Sequence, residues 1–284
     1  MSTRTALVTG AASGIGKALV EKLDREGWRC FAGYNRQPPD ALLEACSKKT
    51  QAVQCNVTDD ASVKSALEEV GEALAGGALD LLVNNAATTG GAGGGVENVD
   101  IDRFKSLFEV NFWGQVRVTQ AALPFIRRSE DGRIINVGSA SQYLTIPMGC
   151  SYPISKAALK RLTQALRVEL KPFGVQVTCV EPGGVRTPMI DISEEQRAEL
   201  WASFPEHLLP QYEAQFKFPG DAIESAFPLW SAEKFADRVY HEVISAKKLK
   251  VNYLIGPGVW VLPIIERVVP DSLRERIFER MFRR

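Results

Sequence analysis

The feature that most limits this chain is a set of short apolar runs that do not alternate. "TALVT" (5–9), "RCFAGY" (29–34), "QAVQC" (51–55), "LDLLVN" (79–84), "RIINVGS" (133–139), "VQVTCV" (175–180) and "VNYLIG" (251–256) are mostly apolar at consecutive positions. A half-exposed strand alternates with a period of two, whereas a strand covered on both faces reads as an unbroken run. Between the runs lie amphipathic segments such as "GIGKALVEKLDREG" and "SVKSALEEVGEALAGG". Buried strands joined through helices run parallel, with helices on both faces of the sheet. The sequence therefore predicts an α/β chain with one doubly wound parallel sheet of about seven strands. No linker or internal repeat interrupts it, so residues 1–284 read as a single domain.

Two stretches depart from the strand–helix rhythm. Residues from about 188 to 230 break it with large apolar groups and are expected to form a partly helical lid. The tail from about 258 to 284 carries Leu273, Ile277, Phe278 and Met281 on one helical stripe, flanked by Arg274, Arg276, Arg280, Arg283 and Arg284. Such a helix can lie in a membrane interface, dock on the domain or meet a second subunit. "GGAGGGVEN" (90–98) is expected to be a flexible loop after the fourth strand.

Composition removes several classes. Thirty-four basic residues balance thirty-four acidic ones without a long basic run, which argues for no nucleic acid partner. The five cysteines are scattered, odd in number and without a CxxC pair, a pattern of reduced thiols in a cytosolic compartment. "MSTRTALVTG" runs directly into a strand and is expected to leave no room for a signal peptide. No stretch reaches the roughly 18–20 apolar residues needed to cross a bilayer. A cytoplasmic protein is expected, peripheral to a membrane if the tail binds one.

"TGAASGIGKAL" places Gly10, Gly14 and Gly16 where the first strand meets the first helix. A pyrophosphate on a helix N-terminus needs backbone N–H groups aimed at it and no Cβ atoms in the way. Glycines at the turn, at the close approach and at the helix–sheet contact meet that need. An ordinary tight turn explains a lone glycine triplet equally well; the strand–turn–helix setting favours the phosphate reading.

The spacing is TGxxxGxG, and with it the chain resembles the short-chain dehydrogenases/reductases, in particular their steroid and retinoid members. The resemblance is continuous over about residues 4–190 and loose beyond. "NVTD" (56–59) follows the third strand, "NNAA" (84–87) the fourth, and Asn111 lies in a long helix. Ser139 ends the fifth strand, Tyr152 and Lys156 form YxxxK, and "EPGGVRT" (181–187) follows the sixth. The family usually has Asp where this chain has Asn56, a position that touches adenine; Asn can still donate and accept there. The resemblance implies a Rossmann sheet, a nicotinamide dinucleotide as cofactor, and a homodimer or homotetramer built on the helices carrying Asn111 and Tyr152. It implies cofactor contacts at Gly10, Ser13, Gly14, Ile15, Gly16, Tyr34, Asn35, Arg36, Asn56, Val57, Asn84, Ala86, Tyr152, Lys156, Pro182, Gly183, Val185 and Thr187. The catalytic set it implies is Asn111, Ser139, Tyr152 and Lys156, with Asn111 holding a water that passes protons to the lysine. No metal is implied.

Tyr152 and Lys156 stand four apart, one above the other on a helix face. A surface pair of this kind is common in arbitrary sequences; Ser139 and the glycine turn make it a candidate site. Tyrosine titrates near 10, and bringing it to about 7 requires roughly 4 kcal/mol of preference for the phenolate. A lysine ammonium and an oxidised nicotinamide are expected to supply that in a water-poor cleft. Ser139 would orient the substrate oxygen, and the cofactor would perform the hydride chemistry.

The end of the second strand, "AGYNRQ", offers Tyr34, Asn35 and Arg36 and no carboxylate. Arg36 can take a 2′-phosphate, which favours NADP(H); if it is a solvated charge, NAD(H) is the alternative. Leu144, Ile146 and Met148, with Trp201, Phe204, Leu208, Leu209, Tyr212, Phe216, Phe218, Phe227 and Trp230, suggest a lipophilic alcohol or carbonyl substrate. Packing of the lid accounts for about half of these groups equally well. The rival readings are a reductase of small or acyl-thioester carbonyls and a non-catalytic dinucleotide-binding protein.

Overall fold

The computed structural model describes residues 3–90, 94–190, 193–215 and 228–283. Seven strands form one parallel sheet: β1 (Thr5–Val8), β2 (Arg29–Tyr34), β3 (Gln51–Gln54), β4 (Leu81–Asn84), β5 (Arg133–Val137), β6 (Gln176–Pro182) and β7 (Asn252–Ile255). They lie side by side in the order β3-β2-β1-β4-β5-β6-β7, so the chain reverses direction across the sheet between β1 and β4. Every predicted run is a strand, and β1, β4 and β5 are buried at each position.

The helices α1 (Gly14–Arg25), α2 (Asp40–Ala45), α3 (Asp60–Leu74), α4 (Ile101–Phe108), α5 (Gly114–Ile126) and α6 (Ser151–Glu169) fill the crossovers. They split the core into two clusters. Leu19, Val20 and Leu23 of α1 pack on one face with Phe235 and Val239 from α9 (Ala232–Val239). Val63, Leu67 and Val70 of α3 pack on the other face with Val118, Ala122 and Ile126 of α5. Three of the described helix starts are capped: the Asp59 and Asp100 carboxylates and the Ser231 hydroxyl accept backbone N–H groups of α3, α4 and α9. Among the described residues no helix is long and apolar enough to cross a membrane.

The segment expected to form a lid contributes α7 (Glu194–Ala202) and α8 (Leu209–Gln215). Phe204 is buried between them, with its ring 5.7 Å from Trp201 and 4.6 Å from Tyr212. Phe216, Phe218 and Phe227, three of the predicted lining residues, lie outside the described residues, as does Arg284 of the tail. The tail forms α10 (Leu262–Val268) and α11 (Asp271–Phe282). Its stripe divides. Phe278 and Phe282 are buried, Phe282 and Met281 packing on Ile146 and Leu144, while Leu273 and Ile277 face outward. Two of its arginines pair within the helix, Arg274 with Asp271 and Arg283 with Glu279.

Truncating Phe282, which is 0% exposed, is expected to cost about 3–5 kcal/mol of unfolding free energy. Ile277→Ala, at a side chain 49% exposed, should change it by less than about 0.5 kcal/mol. Denaturant titration of both variants checks this, and equal losses would mean that the tail does not dock as described.

Candidate active site

The glycine turn is closely packed by backbone and by the side chains of Asn85 and Thr187. Gly10 and Gly14 have φ of +65° and +55°, values that L residues rarely adopt. A Cβ on Gly16 would lie 2.3 Å from the Gly10 carbonyl oxygen, and one on Gly10 2.9 Å from the Ala86 Cα. A Cβ on Gly14 would lie 3.1 Å from Thr187. Thus the turn, the segment after β4 and the segment after β6 meet at one place, the reversal point of the sheet. Asn85, which the sequence reading left out, helps hold them: its Nδ2 donates to the Thr9 and Gly10 carbonyls at 2.9 and 3.2 Å. The Thr9 hydroxyl accepts from the Asn85 and Ala86 N–H groups, both at 3.0 Å.

Ser13 is the N-cap of α1, yet its hydroxyl makes no capping bond, and the first turn, which includes Ile15, has no acidic residue. Those are the properties a helix start needs to accept a phosphate group. The Ala11 N–H donates to the Gly33 carbonyl at 2.8 Å, which sets the end of β2 beside the turn. There Tyr34 is half-buried, while Asn35 and Arg36 are exposed; Arg36 has no ion-pair partner among the described residues. The Asn56 Oδ1 accepts from the Thr58 N–H and hydroxyl at 3.2 and 2.9 Å, which leaves its Nδ2 donor uncommitted. Val57 packs against Gly114, Gly183 against Val259 beyond Pro182, and Val185 bridges to Trp230. This cradle fits a nicotinamide dinucleotide along the ends of β1, β2, β4 and β6. The side chain of Asn84 lies elsewhere: its Nδ2 donates to Thr119 and Asn136 at 2.8 and 2.9 Å, inside the core between β4, β5 and α5.

The other candidates converge beyond β5. Ser139 caps a single 3₁₀ turn, Ala140–Tyr143, its Oγ accepting from the Ser141 N–H at 3.1 Å, and it stands close enough to the Tyr152 phenol to lower its pKa. Lys156 lies one turn along α6 with its Nζ 5.6 Å from the Tyr152 ring centroid. Its side chain is fully enclosed, and the ammonium donates to the Val137 carbonyl at the end of β5, at 2.9 Å. Asn111 sits not in a regular helix but in a π turn, Glu109–Trp113, between α4 and α5. Such turns change which backbone groups are paired and often occur at functional sites. The Asn111 side chain is spent on both of its neighbours. Its Nδ2 donates to the Thr88 carbonyl and to Ser155 Oγ, at 2.9 and 3.1 Å, and its Oδ1 accepts from the Thr88 N–H at 2.8 Å. Ser155 in turn donates to the Tyr152 carbonyl at 2.7 Å. Thr88 and Ser155 are therefore part of the site; their only sequence signals are their places just after "NNAA" and inside YxxxK.

A buried cluster missed from the sequence braces these parts together. The fully enclosed Glu181 carboxylate accepts from the Tyr143 hydroxyl at 2.9 Å and from Asn252 at 3.2 Å. The Lys160 ammonium lies 3.4 Å from Glu181 and donates to the Tyr143 hydroxyl. Tyr143 ends the turn that Ser139 begins, Lys160 is one turn beyond Lys156, and Glu181 precedes Pro182. One carboxylate thus ties together the three elements that carry the site.

The protein alone does not make Tyr152 acidic. Burial pushes the phenol up to about 12, against which the Ser139 hydrogen bond works. The expected pull from Lys156 does not prevail, because the ammonium is itself stripped of water and points at Val137. Burial drives Lys156 down to about 8. At neutral pH the resting pair is a neutral phenol over an ammonium near its own titration.

The comparisons agree with this geometry. A family model described as "short chain dehydrogenase" matches residues 4–198. This chain belongs to that family. Mouse "Estradiol 17-beta-dehydrogenase 2" is 34% identical over 98% of this chain and 75% of its own. An "NADPH-dependent 3-dehydrocapnine reductase" from Ornithobacterium rhinotracheale is 29% identical over 97% of this chain and 96% of its own. Among solved structures, a short-chain dehydrogenase from Streptomyces avermitilis superposes with a TM-score of 0.74 at 25% identity, covering 98% of this chain and 96% of that one. The chain is thus an oxidoreductase of the short-chain dehydrogenase type, with a Rossmann sheet that binds a nicotinamide dinucleotide.

A lowered lysine has a definite linkage sign. Between pH 8 and about 10.5 the unfolded chain keeps a proton that folded Lys156 has released, so stability gains as pH rises through that window. Relative to Lys156→Met, the wild-type protein should therefore become more stable from pH 8 to 10, by an amount on the order of 2 kcal/mol. Chemical denaturation of both proteins at each pH measures this. Parallel curves would show that the ammonium is not desolvated.

Proposed function

We propose that this chain is an NADP(H)-dependent oxidoreductase that interconverts an alcohol and a ketone or aldehyde on a lipophilic substrate of steroid, retinoid or terpenoid type. The observation that carries the reading is the placement of Tyr152 between Ser139 and the enclosed Lys156. A bound nicotinamide dinucleotide supplies the hydride transfer. Tyr152 gives its hydroxyl proton to the substrate oxygen in reduction and takes one back in oxidation, while Ser139 holds that oxygen within reach. Lys156 stabilises the phenolate once the proton has left. Asn111 keeps Tyr152 in place through Ser155 and the start of α6.

The cofactor choice rests on Arg36, exposed at the end of β2 and free of an ion pair among the described residues, with no carboxylate in "AGYNRQ". A guanidinium fork suits a 2′-phosphate, and the NADPH dependence of the Ornithobacterium relative supports the same choice. The lipophilic substrate rests on the walls beyond Tyr152. Gly94 donates to the Met148 carbonyl at 3.0 Å, and Gly95 lies under Tyr212 of the lid, which bonds Glu97. Ile146 and Leu144 are backed by Phe282. These apolar groups lie in the segments that follow Ser139 and β4, and the steroid relative supports a lipophilic substrate. A homo-oligomer through α5 and α6 is part of the same reading, since Trp113 and Ile154 are about half exposed there.

Tyr152→Phe should keep dinucleotide binding, followed by fluorescence titration, and lose turnover of lipophilic ketones by at least about 10²-fold. Retained turnover would remove Tyr152 from the chemistry. Arg36→Ala should raise the Km for NADPH about tenfold and leave that for NADH unchanged. A wild-type enzyme with the lower Km for NADH would reverse the cofactor assignment.

A further inference from the structure

The last two helices of the chain rest on the domain by one side each. Leu262 of α10 is buried with Ala140 and Tyr143, and Phe282 of α11 is buried against Ile146. Leu144 packs on both clusters, so the two helices share one footing, the segment that follows Ser139. Successive residues of an α-helix advance by about 100°, which decides what the outer sides carry. On α10, Ile264 and Val268 stand about 200° and 240° round from Leu262. On α11, Leu273 stands about 180° from Phe282, and Ile277 follows one turn later. With Trp260, just before α10, these are five large apolar side chains, each 48–71% exposed. Single apolar side chains on a surface need no explanation; five in one pair of adjoining helices do.

The charges are sorted as well. On α11, Arg276 and Arg280 border the Leu273–Ile277 stripe, about 60° and 20° to one side of Leu273. Both are exposed, and neither has an ion-pair partner among the described residues. Asp271, Glu275 and Glu279 lie at least about 120° from the stripe, on the other sides of the helix. Two of them are already paired, Asp271 with Arg274 and Glu279 with Arg283. On α10, Arg267 stands about 60° from Ile264, whereas Glu266 is only about 40° from buried Leu262. Glu266 is accordingly felt inside the domain, at the Tyr143 phenol, which burial and Glu181 raise first. The outer side of the pair therefore combines apolar groups with unpaired cations, and its carboxylates lie behind.

We propose that this outer side is a docking surface for an anionic phospholipid bilayer. Ile264, Val268, Leu273 and Ile277 enter the boundary between headgroups and acyl chains, and Trp260 takes the interfacial level that an indole favours. Arg267, Arg276 and Arg280 meet the negative headgroups. The contact is peripheral, since no described helix is long and apolar enough to cross a membrane. A second copy of this chain suits the face less well. Across a two-fold axis the patch would meet itself, bringing the same unpaired arginines together, and like charges across an interface cost affinity. The proposal goes beyond the reaction and does not depend on it, so its test needs no substrate.

The test is co-sedimentation of the full chain with phosphatidylcholine vesicles, with and without about 30% phosphatidylserine. The wild type should bind the anionic vesicles about tenfold or more strongly than the neutral ones, and high salt should remove that preference. Arg276→Gln with Arg280→Gln should weaken binding to the anionic vesicles about tenfold or more and leave binding to the neutral ones unchanged. Leu273→Gln with Ile277→Gln should weaken both by about tenfold or more. All four positions are exposed, and denaturant midpoints equal to that of the wild type show that the variants are folded. Wild-type protein that stays in the supernatant with both kinds of vesicle overturns the proposal, as does binding that neither pair of substitutions weakens. A wild-type dimer that Leu273→Gln with Ile277→Gln turns into a monomer, by analytical ultracentrifugation, overturns it too and assigns the face to a second copy.

Discussion

Everything near the candidate site depends on one buried ammonium. Lys156 is enclosed by α6 and the end of β5, and its single bond to the Val137 carbonyl replaces the water it has lost. Removing an ammonium from water is expensive, and the lowering of its pKa measures that cost. The fold accepts it because Lys156 holds α6 at a set height over β5, and that height places Tyr152 against Ser139. The same burial that weakens the cation raises the phenol above it. A resting site of this kind holds its proton on oxygen until further positive charge arrives.

The surrounding polar groups make that placement rigid rather than supplying charge. Asn111 links Thr88 to Ser155 and so to the Tyr152 carbonyl, and Glu181 gathers Tyr143, Lys160 and Asn252. Beneath them, Asn84, Thr119, Asn136 and Thr163 bond in series between β4, β5, α5 and α6. Bonded to one another, these groups favour one arrangement, with only the Asn84 Oδ1 of this inner chain left without a hydrogen-bond partner among the described residues. These chains leave α6 little freedom to slide along the sheet.

Much of this was legible in the sequence, for physical reasons. A strand buried on both faces has to be apolar throughout, so all seven strands could be read. Gly10, Gly14 and Gly16 could be read as well, since positive φ at Gly10 and Gly14 and backbone contacts of 2.9 and 2.3 Å at Gly10 and Gly16 exclude a side chain. The π turn at Asn111 could not, because nothing local distinguishes "EVNFW" from a regular helix. Nor could the Tyr143–Lys160–Glu181 cluster, whose members lie up to 38 residues apart and meet only when β6 joins the sheet. The pKa order of Tyr152 and Lys156 was likewise out of reach, since it turns on how completely each is desolvated.

The substrate side shows the same division more sharply. The segments proposed to face the substrate are the one after Ser139, the loop before α4, residues 194–215 and α11, and they contact one another. Met148 receives Gly94, Tyr212 covers Gly95, and Phe282 supports Ile146. Apolar composition announces that such walls exist but not which way a residue turns. The tail makes the point: one stripe of Leu273, Ile277, Phe278 and Met281 is divided between solvent and core by a rotation that only the docking partner decides.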